Sequence, residues 1–530
     1  MKQHHSALSR MRRAAMSVTV VAALSLLAAG CAPSSGSESQ GDDQPLADEQ
    51  ELVFGLSGEP QDIKAGADQG GVGFTIQSLV HAGLLRYDAE GEISPNLAAE
   101  YEQIDPATYS FTLQEGAVFS DGSPVTSENV KKSFEFYADP ANGARVSPGV
   151  SNIQEFEIVD DRNFVIHLAS NDGDFLQYVA DPTAFIVPDA ALSAGAIADV
   201  GAGPFVITDQ LDGVSTSLEK NPEFWDADNV NLETIELVYY VDAGARTNAL
   251  LSGDVDLIDY VAWTDFDRIA GTDGLQLDAK PGSYADVEFN TVEGPFADPL
   301  VRQAVGYAID RDAVVAAAFS GHASPQYGVP LGEEDSPYAS DLSTNMFEYD
   351  PERAKELLAE AGYADGIKSG SLLTTNSQQF YMDAAQIIQA NLADVGIDLT
   401  LDTPDWPTRN EKSVAGQYDV RISGGGGVVT SPAYIGAWIA GPAAAKSYGY
   451  DNPDLVAAID AGRKADTEEE AKEAYDEAFR IIAEDVPMVH VALREQGFAS
   501  NDKVKGFATL PGFLALYSGQ TIAGISIVED

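Results

Sequence analysis

PFADPLVRQAVGYAIDRDAVV, residues Pro295 to Val315, is the stretch on which the fold turns. Asp298-Pro299 supplies a side-chain cap followed by a proline whose fixed φ suits the first helical turn. Val301, Val305 and Ile309 then repeat at helical spacing and give the segment one apolar face. The same opening recurs at Asp350-Pro351, ahead of Leu357, Leu358 and Ala361, with Gly362 as the stop. Thr467-Glu468-Glu469-Glu470 is a capping box that predicts a helix through Glu484. Short strands alternate with these helices, so the second half of the chain reads as α/β layers.

Working back from that stretch, Ile235–Val241, Ser215–Glu219 and Gly203–Ile207 read as strands. Between Tyr101 and His167 the texture is that of a compact α+β unit. Tyr109–Leu113 and Asn163–Leu168 alternate at period two, Asp121-Gly122 marks a turn, and Thr126 caps a helix carrying Val130, Phe134 and Tyr137. Glu51–Leu56 predicts the first strand. A glycine-rich loop, Gly66 to Gly73, and a helix from Phe74 to Leu85 follow it.

The amino-terminal end fixes an address. Lys2, Arg10, Arg12 and Arg13 precede an apolar run, Ala14 to Ala29, that is short for a membrane span and shaped like a signal peptide. Cys31, the one cysteine, closes the run Leu26-Leu27-Ala28-Ala29-Gly30 and resembles the lipidated residue of a bacterial lipobox. Residues 1–30 are therefore expected to be a lipoprotein signal peptide, and the polar stretch 31–50 a flexible tether. The expected location is a lipid anchor on the outer face of the cell membrane, with the membrane touched through that lipid alone. With the leader removed, 26 Lys and Arg face 84 Asp and Glu. That balance excludes a nucleic-acid partner, and a thiol spent on lipid leaves none for a disulfide or a cysteine metal site.

Catalytic signatures are missing from the sequence. There is no G-x-S-x-G elbow, no H-E-x-x-H and no Walker loop, and His81, His167, His322 and His490 are scattered without metal-ligand spacing. No catalytic residue, metal or cofactor is expected, and the chain is not read as an enzyme.

Several stretches, in a shared order, resemble the family-5 extracellular solute-binding proteins of ABC importers, which include oligopeptide-, dipeptide- and nickel-binding proteins. Pro295–Val315 resembles that family's signature helix pair. LVHAGLLRYDAEGEISPNLAAEYE from Leu79, VFSDGSPVTSENVKKSF from Val118, GAGPF at Gly201 and LEKNPEFWD at Leu218 come before it, with LSGDVDLI at Leu251. YDPERAKELLAEAGY at Tyr349 and IQANLADVGIDLTL at Ile388 come after. The resemblance implies a two-lobed, class II periplasmic-binding-protein-like α/β fold with an extra α+β domain inserted in the first lobe. Domain I would comprise residues 51–82, 200–288 and 486–530, domain II residues 83–199, and domain III residues 289–485. It further implies a monomer that captures a solute between domains I and III by lobe closure and delivers it to the permease and ATPase subunits of an importer. A peptide or peptide-like molecule is the leading solute class, with an oligosaccharide or a metal chelate as the alternative.

The cleft wall is expected where Tyr418–Ser423 runs as a strand into Gly424, Gly425, Gly426 and Gly427, because glycines let a ligand approach the backbone closely. Arg421 on that strand reads as paired with Asp419 or exposed. The resemblance adds Trp406, Trp263 and Trp438 as aromatic walls, and Gly73, Phe74 and Thr75 as the contribution of domain I, with Ser431 and Tyr434 after the glycines. Trp225 is expected to be structural. Peptide binders of this family carry a tryptophan and an aspartate beyond the strand, where this chain has Gly425 and Val428. A free amine would then lack its usual counter-charge. If Cys31 carries the lipid, Cys31→Ser should shed the protein into the medium or leave it unprocessed. Continued partitioning of that variant into the detergent phase would contradict the lipid anchor.

Overall fold

The computed structural model describes residues 44–60, 62–194, 200–329, 331, 337–425, 432 and 446–529; the leader, Cys31, Gly426, Ser431, Tyr434 and Trp438 lie outside them. Pro45 to Gln50, expected in the tether, are instead tied to the last residues of the chain. Leu46 bridges Val528, Ala47 N–H donates to the Ile527 carbonyl, and the Gln50 amide binds Ile527 as well.

Strand β1 (Glu51–Leu56) is followed by helix α1 (Gly70–Val80). The helix starts and stops earlier than the periodicity from Phe74 to Leu85 predicts. Its end is set by a distant segment: Gly203 N–H donates to the Val80 carbonyl at 2.9 Å, and a Cβ on Gly203 would lie 2.4 Å from the Val80 carbonyl carbon. The backbone can approach that closely only at glycine, and the approach takes the acceptor that another helical turn would have needed.

An α+β unit follows. Strands β2 (Leu85–Tyr87) and β3 (Ile93–Pro95) pair as a hairpin. β4 (Ala98–Asp105), β5 (Thr108–Leu113), β6 (Ile153–Ile158) and β7 (Asn163–Leu168) make an antiparallel sheet in the order β4-β5-β7-β6. Tyr109, Phe111, Leu113, Phe164, Ile166 and Leu168 point inward, as the period-two alternation predicts. Helix α2 (Ser127–Ala138) packs Val130, Phe134 and Tyr137 into the same core, with Thr126 and Asn129 capping each other.

Ten further strands join β1: β8 (Phe205–Leu211), β9 (Ser215–Lys220), β10 (Thr234–Tyr239), β11 (Leu257–Ile258), β12 (Leu275–Phe289), β13 (Ala323–Pro325), β14 (Ser371–Leu373), β15 (Thr400–Asp402), β16 (Val420–Gly425) and β17 (Met488–Asn501). They form one sheet in the order β15-β14-β16-β12-β17-β11-β1-β10-β9-β8, with β13 added to β17. β12 and β17 run antiparallel from Leu275 opposite Asn501 to Glu288 opposite Met488, with register breaks between Pro281 and Tyr284 and between Ala285 and Asp286. Separate apolar cores cover its two ends: Leu52, Phe54, Leu218 and Leu237 on one, and Val287, Val301, Val305, Leu357, Ile388 and Ile422 on the other. The Asp298 and Asp350 caps form as expected, each carboxylate accepting from a first-turn N–H.

His81 closes α1 and is stacked on Phe185 with ring centroids 4.2 Å apart, and both of its ring nitrogens are buried without a hydrogen bond. Burial pushes its pKa from 6.5 down to about 3. The folded value lies below the unfolded one, so this group's stability is intact above pH 6.5 and is lost as the pH falls toward 3. Between pH 7 and pH 5 it should cost the fold about 2 kcal/mol. Urea titrations of the wild type and His81→Gln at both pH values should show the variant losing about that much less on acidification.

Candidate functional site

The site is built where the two halves of the long sheet meet. Gly424 and Gly425 finish β16 opposite Ala285 and Tyr284 of β12. A Cβ on Gly424 would lie 2.9 Å from the Tyr284 carbonyl and 3.1 Å from Tyr381 Oη, so glycine keeps this surface open. The two phenylalanine-like rings at the head of helix Gln379–Asp394, Phe380 and Tyr381, have centroids 4.3 Å apart. Trp263 meets Phe380 edge-on at 5.3 Å and donates its indole N–H to the Glu495 carbonyl at 2.8 Å. Trp406 lies 5.8 Å from Tyr381. Trp263, Phe380, Tyr381 and Trp406 therefore form one aromatic wall, in which the two sequence-predicted tryptophans are joined by two residues that sequence reasoning missed.

A guanidinium flanks the wall on each side. Arg409 sits 4.7 Å over Trp406 and 5.5 Å over Tyr381, and donates to the Ile422 carbonyl at 2.6 Å. Arg494, on β17, sits 5.0 Å over Phe380 and 5.9 Å over Trp263. Burial lowers the pKa of both arginines from the ordinary value. Arg494 also went unrecognised in the sequence. Its signal is a charged pair, Arg494-Glu495, that ends the run Met488–Leu493, apolar apart from His490.

From the facing side comes Tyr260, whose φ of 42° is in the left-handed region that non-glycine residues avoid. Arg246 holds it there by donating to the carbonyls of Asp259, Tyr260 and Tyr240, with the Asp259 carboxylate 3.3 Å from its Nε. Ser57 donates to the same carboxylate, which burial pushes up to about 6. The Tyr260 hydroxyl reaches the first turn of α1, where a Cβ on Gly71 would lie 2.1 Å from it.

The other residues predicted in α1 are placed differently. Phe74 is 1% exposed and packs edge-on against Tyr517 in the core of the α+β unit. Thr75 is buried, bonds the Gly71 carbonyl and touches Gly519. Gly73 packs on Gln69. Gly71, Phe74 and Thr75 share one face of α1, with Gly71 in the first turn against Tyr260 and the next turn carried into the interior. Arg421 is neither exposed nor paired with Asp419. Its partner is Glu288, both side chains being almost fully buried, while Asp419 accepts from the Ser371 N–H and hydroxyl. The registered pairing of β16 with β12 sets Arg421 beside Glu288, whereas Asp419 precedes the strand and faces β14. Trp225 packs on Phe224 away from the wall. Among the described residues, no group of His, Cys, Asp and Glu is arranged to hold a metal ion.

A family profile described as bacterial extracellular solute-binding proteins, family 5 Middle, matches residues 92–447. The glutathione-binding protein GsiB of Pectobacterium atrosepticum is 29% identical over 462 residues, covering 83% of this chain and 88% of the relative. The solved structure of AgaA from A. tumefaciens R10 in complex with agropinic acid is 34% identical, with a TM-score of 0.82 over 91% of this chain and 99% of the other. The peptide-bound DppA of Helicobacter pylori has a TM-score of 0.77 at 20% identity, covering 92% and 99%. These are two-lobed binding proteins, not enzymes, and the architecture of the present chain is theirs.

The Gly71–Tyr260 contact can be tested directly. In a helix, Gly→Ala alone should stabilise by up to about 1 kcal/mol. Here Gly71→Ala should destabilise instead, by about 1–3 kcal/mol, because the methyl group overlaps a phenol held by strained backbone. In a Tyr260→Phe background the same change should become neutral or favourable, as read from urea midpoints.

Proposed function

As the chain belongs to the bacterial extracellular solute-binding proteins of family 5, which deliver small solutes or peptides to ABC importers, we propose that it is a lipid-anchored receptor for a peptide or peptide-like solute. Cys31 would tether it to the outer face of the membrane as a monomer. Residues 51–82, 200–288 and 486–530 form the first lobe in this reading, residues 83–199 the inserted domain and residues 289–485 the second lobe. The solute is captured as the lobes close, and the closed form is what the permease and ATPase subunits of the importer receive.

The observation that carries this reading is the wall Trp263–Phe380–Tyr381–Trp406 beside the open backbone of Gly424 and Gly425, faced by Tyr260. Stacked rings supply apolar area without specificity, and bare strand-end backbone supplies hydrogen bonds that any extended amide can use. The names of the relatives point the same way, since GsiB binds glutathione and DppA was solved with a peptide. AgaA holds agropinic acid, which supports the wider class of peptide-like solutes over intact oligopeptides alone. Gly426, Ser431, Tyr434 and Trp438 belong to the ligand-binding set in this proposal.

Mass spectrometry of the solutes released by heat from the purified protein identifies the cargo. Adding that material back to stripped protein should lower the radius of gyration in small-angle scattering, because the lobes approach as the cleft loses water. Binding by calorimetry with an unchanged radius would mean a rigid preformed site, and no binding of any released solute would remove the receptor reading.

A further inference from the structure

Arg494 is the exception in the way this chain uses its arginines. Arg421 and Arg246 each lie against a buried carboxylate, and Arg302 and Arg311 donate to ring after ring of backbone carbonyls. Arg494 has no ion pair and no hydrogen bond among the described residues, and its Nε is buried and unpartnered. This occurs in a protein with 84 acidic side chains against 30 basic ones. The acids nearest to it are engaged elsewhere: Asp286 binds the His490 imidazole at 2.6 Å, and Glu495 pairs with His322 at 3.2 Å.

A partly desolvated guanidinium without an anion is costly, and stacking on Phe380 and Trp263 does not compensate for all of it. Stacking uses only the faces of the planar group and leaves its in-plane N–H groups open, the geometry that receives a carboxylate in two parallel hydrogen bonds. Those open edges are at the solute wall. Arg494 Nη2 is 3.9 Å from the point where a Cβ on Gly424 would sit, and Tyr381 Oη is 3.1 Å from the same point. The Tyr381 hydroxyl makes no hydrogen bond of its own among the described residues, and both it and the Tyr260 hydroxyl lie within the electrostatic reach of Arg494. One small region over Gly424 thus holds a cation and a free phenol, and the acids within electrostatic reach, Asp286 and Glu288, are already committed to His490 and Arg421.

Resting on the receptor reading above, we propose that Arg494 is the anchor for a carboxylate of the transported solute, with Tyr381 Oη as a second donor, so that the cargo is a carboxylate-bearing small molecule. The anion is held in the gap above Gly424 and the rest of the molecule lies along the aromatic wall. A side chain at Gly424 would crowd the Tyr284 carbonyl and the Tyr381 hydroxyl that serves as the second donor. Arg494 is in this account a specificity-determining residue that touches the solute.

The test uses the full chain stripped of its bound material. Solutes released by heat from the wild type are offered back as such and after methyl esterification, and glutathione with its dimethyl ester serves as a defined pair. The acids should bind and the esters should not. Arg494→Gln, which keeps a polar side chain and loses the charge and the guanidinium, should weaken binding of the acids at least roughly thirtyfold, the loss typical when one side of a buried charged pair is removed. Arg494→Lys should recover part of it. Should Arg494→Gln fail to show the wild-type circular dichroism, Tyr381→Phe should still weaken the acids several-fold and leave any ester binding unchanged. Equal binding of a released solute and its ester, or an undiminished affinity of folded Arg494→Gln, overturns the carboxylate anchor and leaves the receptor reading standing. Absence of binding by every released solute overturns the receptor reading itself.

Discussion

The pairing of Leu275–Phe289 with Met488–Asn501 is the constraint on which the other parts hang. No other strand pair borders both halves of the sheet: β11 and β1 continue from β17, and β16 continues from β12. Its ladder cannot be regular throughout, because Pro281 lacks an N–H and the register breaks between Pro281 and Tyr284. A bulge of this kind increases the local twist and redirects side chains. Arg494 occupies the strand facing that break, between Leu493, paired with Tyr284, and Glu495, paired with Pro281. Arg494 thus has no registered partner on β12, while on its other side Ala323 of β13 pairs with it.

Charge is distributed with the same economy. The large acidic excess belongs mostly to exposed carboxylates, where water rather than a partner solvates them. The interior instead uses arginine as a multi-armed donor. Arg302 ties the carbonyls of Phe296, Ala297, Asp485 and Val486 together, and Arg311 gathers those of Gly306, Gln326, Phe347 and His490. Lysine, with a compact head and a heavier hydration cost, could not span such sets. The two helices of the Pro295–Val315 stretch carry one of these arginines each, so its characteristic pattern is a pair of capped helices nailed by guanidinium groups to the ends of other segments.

What the sequence made legible was local. The caps at Thr126, Asp298, Asp350 and Thr467 formed where expected because a side-chain oxygen three residues or fewer from the N–H that donates to it needs no tertiary information. The two tryptophans of the wall were identifiable through resemblance. The rest was settled by contacts between segments far apart in the chain. Glu288 meets Arg421 across 133 positions, and Trp263 meets Glu495 across 232. The ends of α1 were set by Tyr260 and Gly203, neither of which its periodicity reveals. Phe380 and Tyr381 escaped notice because two adjacent rings at the head of a helix read as ordinary core.

The two arginines of the wall show how the same stacking can serve opposite ends. Arg409 lies on Trp406 and Tyr381 and commits its edge to the Ile422 carbonyl and the Asn410 side chain, so it braces the wall from behind. Arg494 lies on Phe380 and Trp263 and commits its edge to nothing in the described protein. The aromatic faces fix the plane of both cations, but only the distribution of carbonyls around them decides which becomes structure. A guanidinium oriented in advance by rings and denied a backbone acceptor retains its hydrogen-bonding capacity for whatever anion enters beside it.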